Sequence, residues 1–228
     1  YSNLLEKQEK NSKIIQKIEP KIDAFQYAYS ISSSYKKQKC PSIPFEQYIL
    51  QRAKSHKKIS ILSLGCGTAE WEIELLEKEP EKIRCEVVDI NEELLEKAKE
   101  ISKQKNLNFH TIIHDINEIK LIEEKYDLII ARSSLHHFIK LEDIFSEINK
   151  SLTPDGKFIV IGEVIGKNGL MLYEQTKVIA QKIFDILPEK YRFNNYTKEI
   201  DDEIPNINHA KNSFEAIRSQ DIFPLLMK

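Results

Sequence analysis

The chain has 228 residues, 34 Lys and Arg against 36 Asp and Glu, and a net charge of −2, a balance that offers no electrostatic footprint for nucleic acid. That length can bury a full core, in one large domain or in one domain with a small lid, and no apolar run reaches the roughly 18 residues of a membrane span. Cys40, Cys66 and Cys85 are odd in number and far apart, which argues for reduced thiols in a cytoplasmic protein rather than a disulfide framework or a zinc site.

No apolar leader follows Tyr1, and an upstream segment is compatible with that start. Residues 1–57 read as mostly helical, with Leu4, Leu5, Ile14, Ile15 and Ile18 at roughly helical spacing and breaks at Pro20, Pro41 and Pro44. Short apolar runs then alternate with amphipathic stretches. Strands are predicted at Ile59–Leu64, Cys85–Val88, Asn108–Ile113, Tyr126–Ala131 and Lys157–Gly162, and helices at Glu70–Glu79, Glu92–Lys103 and Leu141–Leu152. Asn91 can cap the second of these helices, whose first turn carries Glu92 and Glu93. Strands apolar throughout and separated by helices indicate a parallel sheet covered on both faces, an α/β doubly wound domain. The expected organisation is an N-terminal helical lid at 1–57, a sheet core at 58–165, and a helical insertion on the acceptor side at 166–228 that leads into the C-terminal part of the sheet domain.

In such a sheet a ligand sits beyond the carboxyl ends of the strands, where strand order reverses. The first strand delivers Gly65-Cys66-Gly67 to that point, and glycines there permit a tight turn and a close approach of ligand to backbone. The third glycine of a dinucleotide fingerprint would fall at Glu70, and a carboxylate at a helix N-terminus repels a pyrophosphate. An adenosine ligand without phosphate fits better. Asp89 ends the second strand, 24 residues after Gly65, close to the roughly 20-residue distance at which an acid meets a ribose. Asp115, followed by Ile116, can bond an adenine amino group and cover a ring face, or can simply cap a helix.

These motifs in this order resemble those of class I S-adenosylmethionine-dependent methyltransferases. "LSLGCGTAE" looks like the glycine-rich cofactor loop, "VVDIN" like the ribose acid, "HDINEI" like the adenine segment, "YDLIIARSSLHHF" like the fourth strand and its loop, and "SLTPDGKFIVIGE" like the turn and fifth strand. The resemblance implies a Rossmann-like sheet, S-adenosyl-L-methionine as cofactor with S-adenosyl-L-homocysteine as product, and cofactor contacts from Gly65, Cys66, Gly67, Asp89, Ile90, Asp115, Ile116, Arg132 and Ser133. Tyr35, with Tyr27 and Tyr29, lies where members fold an N-terminal helix over the cofactor, although aromatics there more often belong to a core. Ser63 stands where many members have an acid, and Ala69 where many have a third glycine. The family also adds two strands after the point where this chain ends, so either a longer parent protein or a differently capped sheet edge is expected; an uncovered edge strand favours the former.

Under that resemblance the reaction is in-line attack on a sulfonium methyl group, and the protein chiefly aligns the partners and excludes water. An acceptor hydroxyl also needs a base. His136 and His137 in "RSSLHHF" are the candidates, since an imidazole with an ordinary pKa of about 6.5 suits that task near neutral pH; neighbouring side chains diverge, so one of them should face the cavity. Glu163 and Arg218 are candidates for binding the acceptor, although Arg218 can equally pair with Glu215 on a helix surface. His110 and His114 have metal-pair spacing only on a helix, and their context is a strand, so no metal is expected. The acceptor is read as a small molecule, an oxygen of a metabolite or saccharide-like compound, with no nucleic acid or membrane partner. Two rivals share the scaffold: a cofactor-binding protein without turnover, and another adenosine-ligand enzyme such as an aminopropyl transferase, which would want acids where "RSSLHHF" has none.

Overall fold

The computed structural model describes residues 45–55, 58–194, 197–211 and 213–228. Most of the expected lid, with Tyr27, Tyr29, Tyr35 and Cys40, lies outside the described residues. Within them, α1 (Phe45–Ser55) leads into an alternating series: β1 (Ile59–Leu64), α2 (Glu70–Lys78), β2 (Ile83–Asp89), α3 (Glu92–Gln104), β3 (Phe109–Ile113), β4 (Tyr126–Arg132), α4 (Leu141–Ser151) and β5 (Leu152–Ile161). After the sheet come α5 (Glu174–Asp185), α6 (Glu189–Arg192) and α7 (Ser219–Leu226). The strands pair in parallel in the order β3-β2-β1-β4-β5, so the chain reverses direction across the sheet between β1 and β4. This is a doubly wound, Rossmann-like α/β fold.

The central strands β1 and β4 are mostly apolar and buried because both faces of the sheet are covered there. On β1, Ile59 and Ile61 pack with Ile49, Ile73, Leu76 and Leu95 from α1, α2 and α3, while Leu62 and Leu64 pack with Leu141, Ile144 and Ile148 of α4 and Ile222 of α7. The alternation of side chains along a strand separates the two sets. Asn91 caps α3, its side chain accepting from the Leu94 N–H at 3.2 Å. The fifth strand begins earlier than its apolar run. Tyr126 faces Leu152 but Leu128 faces Lys157, so Pro154-Asp155-Gly156 is looped out within β5 rather than preceding it. A proline that cannot donate to the ladder fits only such an irregularity.

Glu86 is a carboxylate buried inside β2 and only 4% exposed. It accepts from Tyr126 Oη at 2.6 Å, Lys125 Nζ at 2.8 Å and Arg84 Nη2 at 2.8 Å. Burial pushes its pKa up, but the bonds from Lys125 and Tyr126 and the charges of Lys125 and Arg84 more than offset this and hold it below the usual carboxylate value. A folded-state pKa below the unfolded one contributes stability that is present above about pH 4.5 and is lost as pH falls through the folded value. Glu86→Gln is expected to lower unfolding stability at pH 7 by about 1.5–3 kcal/mol, the range for bonds to charged groups. Urea titrations should show the gap from wild type narrowing below pH 4.5.

Candidate active site

The loops after β1, β2, β3 and β4 open on one pocket at the carboxyl ends of the strands, the position a doubly wound sheet offers a ligand. Gly65, Gly67, Asp89, Ile90, Asp115, Ile116 and Ser133 line it, and so do His114, Asn117, Ser134, His137, Phe138 and Phe214. The two glycines do different work. Both have positive φ, 67° at Gly65 and 57° at Gly67, a conformation that disfavours a β-carbon. A β-carbon at Gly65 would lie 2.7 Å from Ser134 Cβ, whereas one at Gly67 would meet nothing within 4 Å. Gly65 therefore serves the packing of two loops of the protein, and Gly67 faces open pocket.

Asp89 joins the first two loops. Its Oδ2 accepts from the Gly67 N–H at 2.7 Å and its Oδ1 from the Asn91 N–H at 2.9 Å. Asp115 caps the helical turn Ile116–Glu118, accepting from the backbone and side-chain N–H groups of Asn117, both at 2.9 Å. Asn117 Oδ1 in turn accepts from the Ile139 and Lys140 N–H groups at 2.8 and 3.1 Å, which ties the third loop to the fourth. The capping role and the place on the pocket wall thus coexist at Asp115. Where an acid was expected at Ser63, the hydroxyl donates at 2.6 Å to Glu72 Oε1, from α2. Burial raises the Glu72 pKa. Ala69, at the expected third glycine, adopts a left-handed conformation with φ 51° as the residue before α2.

Two expected cofactor residues stand off the pocket wall. Cys66 packs against the core on the α2 side, and its backbone N–H donates to Val88 O at 3.3 Å. Burial, with the charges of Glu72 and Asp89, pushes its thiol pKa far up. Arg132 is exposed and lies 5.9 Å over the Trp71 ring, a cation–π arrangement.

The fourth loop carries a short helical turn, Leu135–His137, fixed from behind by Glu163. The Glu163 side chain is 2% exposed and accepts from the backbone N–H groups of Leu135 at 2.8 Å, His136 at 3.2 Å and Val164 at 2.9 Å, and from His136 Nδ1 at 2.6 Å. Burial raises its pKa, but His136 and the backbone donors bring it below the ordinary value. This corrects the reading of Glu163 as an acceptor-binding group, because its carboxylate is consumed in holding the loop. Arg218 is corrected likewise. Its guanidinium forks onto Glu142 at 2.6 and 2.7 Å and bonds Asp221 at 2.8 Å and Ile139 O at 2.9 Å, so it fastens α7 to α4 and pairs neither with Glu215 nor with the pocket. The Arg218 bonds hold Glu142 down at a pKa of about 2.

The two histidine rings lie with centroids 4.0 Å apart but have different partners. His136 is 7% exposed and turned toward Glu163, and His137 lines the pocket. His137 Nδ1 lies 2.9 Å from Phe214 O. A carbonyl only accepts, so Nδ1 carries the hydrogen and Nε2 the lone pair. Burial and the neighbouring His136 lower the His137 pKa, against the Phe214 carbonyl, Glu215 and Glu163. His110 lies on β3, and His114 follows it with Nδ1 2.7 Å from Asp115 O. Sequence reasoning missed His114 and Asn117, although both sat within "HDINEI", and Ser134 and Phe138, both within "RSSLHHF". Phe214 carried no local signal, since it reaches the site from 77 residues beyond His137.

A family model described as a methyltransferase domain matches residues 55–184. The match covers more than half of the chain, and the chain belongs to that family. Fold and family together are those of class I S-adenosylmethionine-dependent methyltransferases. Among curated proteins, the chain is 24% identical over 152 residues to malonyl-[acyl-carrier protein] O-methyltransferase 2 of Ilyobacter polytropus, covering 60% of this chain and 56% of that one. It is 28% identical over 139 residues to demethylmenaquinone methyltransferase of Lactococcus lactis, covering 58% and 55%. The chain thus spans about half the length of these relatives. Among solved structures, one of an S-adenosyl-L-methionine-dependent methyltransferase of Methanococcus maripaludis is similar at 20% identity and a TM-score of 0.45, covering 78% of this chain and 80% of that one. Among the described residues no helix is long and apolar enough to cross a membrane.

Proposed function

We propose that this chain transfers the methyl group of S-adenosyl-L-methionine to an oxygen of a small-molecule acceptor, a metabolite or saccharide-like compound. The observation that carries the reading is the donor set of the pocket: two carboxylates, Asp89 and Asp115, flanked by Ile90 and Ile116, with no lysine or arginine among the described residues that line it. Carboxylates suit the hydroxyl and amino hydrogens of an adenosine group, branched side chains suit its ring faces, and a wall without cations suits a ligand without phosphate. In this reading Asp89 receives the ribose hydroxyls, Asp115 the adenine amino group, and the open side of Gly67 the ligand's close approach. Ser133, on the pocket wall beside the turn that carries His137, belongs to the methionine side of the cofactor.

When bound, the cofactor would supply an electrophilic methyl carbon on a sulfonium, with the sulfide as leaving group, and the acceptor hydroxyl would give its proton to a base, for which His137 is the candidate. The residues of the chain align the acceptor and keep water out. His137 presents its Nε2 lone pair on the acceptor side, beside Phe214 from the segment at 166–228, which we assign to acceptor recognition. The oxygen acceptor agrees with the name of the Ilyobacter relative, an O-methyltransferase. The test is a calorimetric titration with S-adenosyl-L-homocysteine, followed by a screen of hydroxyl acceptors with methyl-labelled cofactor. Saturable binding and label transfer are expected. Absence of binding overturns the assignment of the pocket, and binding without transfer to any acceptor would leave a cofactor-binding protein.

A further inference from the structure

His136, His137 and Glu215 each bring one potential ligand atom into a cluster whose atoms all lie within 4.8 Å of one another. His136 Nε2 and Glu215 Oε2 are 3.6 Å apart. Two ligands of a tetrahedral zinc ion, each at about 2.0–2.2 Å, lie roughly 3.4 Å from each other, so this pair is near the required bite. The surroundings are those of metal-binding imidazoles. A ligating histidine usually donates its other ring N–H to a carboxylate or backbone carbonyl, which fixes the ring and its tautomer. Here His136 Nδ1 is held by Glu163 at 2.6 Å and His137 Nδ1 by Phe214 O at 2.9 Å. With Nδ1 engaged in each ring, Nε2 is the nitrogen through which a neutral imidazole would bind a shared ion. Glu163 is further fixed by backbone donors, and the Ile217 N–H donates to His136 O at 3.1 Å, which brings the segment bearing Glu215 against the histidine turn.

We propose that His136, His137 and Glu215 form a binding site for one divalent transition ion of the zinc class. Two imidazole nitrogens and one carboxylate oxygen suit such an ion, whereas calcium and magnesium prefer sites made of oxygen alone. Three protein ligands leave a fourth position open, as in catalytic zinc sites. Because His137 lines the pocket, an ion held there would lie at its edge, within reach of an acceptor. A cation there lowers the pKa of a bound hydroxyl; the proton then leaves to solvent, and His137 serves as a ligand rather than as the base. This consequence rests on the reading of the pocket as the methyl-transfer site, but the metal site does not.

The experiment titrates chelator-stripped protein with zinc sulfate against a chromophoric chelator, and with cobalt to read coordination from its visible spectrum. One ion per chain and a cobalt spectrum of four- or five-coordinate type are expected. Glu215→Ala should weaken zinc binding at least roughly 100-fold, and Glu163→Gln, which leaves all three ligands in place, roughly 10- to 100-fold. Circular dichroism and S-adenosyl-L-homocysteine titration on the same samples report folding and the cofactor pocket. Zinc affinity unchanged in folded Glu215→Ala, or no stoichiometric binding by wild type, overturns the site. Failure of zinc binding with intact homocysteine-ligand binding removes this inference alone, and the reverse pattern removes the reading of the pocket while leaving the metal site.

Discussion

Asp89→Ala is expected to lower the affinity for S-adenosyl-L-homocysteine at least roughly tenfold. The side chain has two tasks. In the absence of ligand its oxygens already hold the Gly67 and Asn91 N–H groups at 2.7 and 2.9 Å, so the carboxylate is oriented before a ribose arrives. A carboxylate oxygen carries more than one lone pair, and two ribose hydroxyls can therefore be received without giving up those bonds. Each bond to a charged group contributes about 1.5–3 kcal/mol, and loss of both exceeds the 1.4 kcal/mol that a tenfold change requires. The variant also frees the Gly67 N–H and loosens the glycine loop, which adds to the loss. Asp89→Asn separates the tasks, because one amide oxygen cannot accept from both backbone groups while receiving both hydroxyls. Calorimetry with thermal melting of the same samples reads binding and folding together. An Asp89→Ala protein that binds with wild-type affinity would remove Asp89 from the ribose role.

The sheet was legible because its central strands are buried on both faces and so appear as mostly apolar runs, "ISILSL" and "YDLIIAR". Strand ends were less so. Glu86 within β2 broke no run because Tyr126 and Lys125 satisfy it from across the sheet, an arrangement that periodicity does not encode. At β5, turn chemistry at Pro154-Asp155-Gly156 hid a strand that continues through a register shift.

On the site, the residues that follow each strand directly were visible from spacing, as Gly65, Gly67 and Asp89 were. Pairings between distant segments were not. Glu163 reaches His136 from 27 residues away and Arg218 reaches Glu142 from 76, and in both cases the charged residue type was noticed while its partner was not. A lone Glu or Arg in a loop carries no mark of which charge will neutralise it. Desolvation makes an unpaired buried carboxylate costly, so the nearly buried Glu163 had to find donors, and the nearest were the backbone amides of the histidine turn. The same physics turned a candidate acceptor ligand into the brace of the loop that bears His137.

His137→Asn is expected to lower turnover on the true acceptor by roughly 10²- to 10⁴-fold, the usual cost of losing a positioned proton acceptor. The choice of Asn follows from the geometry. Its amide nitrogen lies near the place of Nδ1 and can keep donating to Phe214 O, while nothing replaces Nε2. The variant therefore removes the lone pair facing the acceptor and preserves the bond that ties the segment at 166–228 to the fourth loop. Affinity for S-adenosyl-L-homocysteine should stay within a factor of about two, since an interaction made only with the acceptor does not enter cofactor binding. His136→Ala differs in kind, since it leaves no side-chain donor in place of Nδ1. It removes the 2.6 Å bond to Glu163 from a nearly buried carboxylate, so its melting temperature should fall along with activity, as expected when a buried charge loses its partner. If His137 ligates a cation, the Asn variant also loses zinc affinity in parallel with turnover; if it acts alone on the proton, turnover falls in stripped protein to the same extent. Full activity of folded His137→Asn would overturn both roles and leave alignment as the whole of the catalysis, with an acceptor that is an amine, a thiol or a hydroxyl acidic enough to ionise without help.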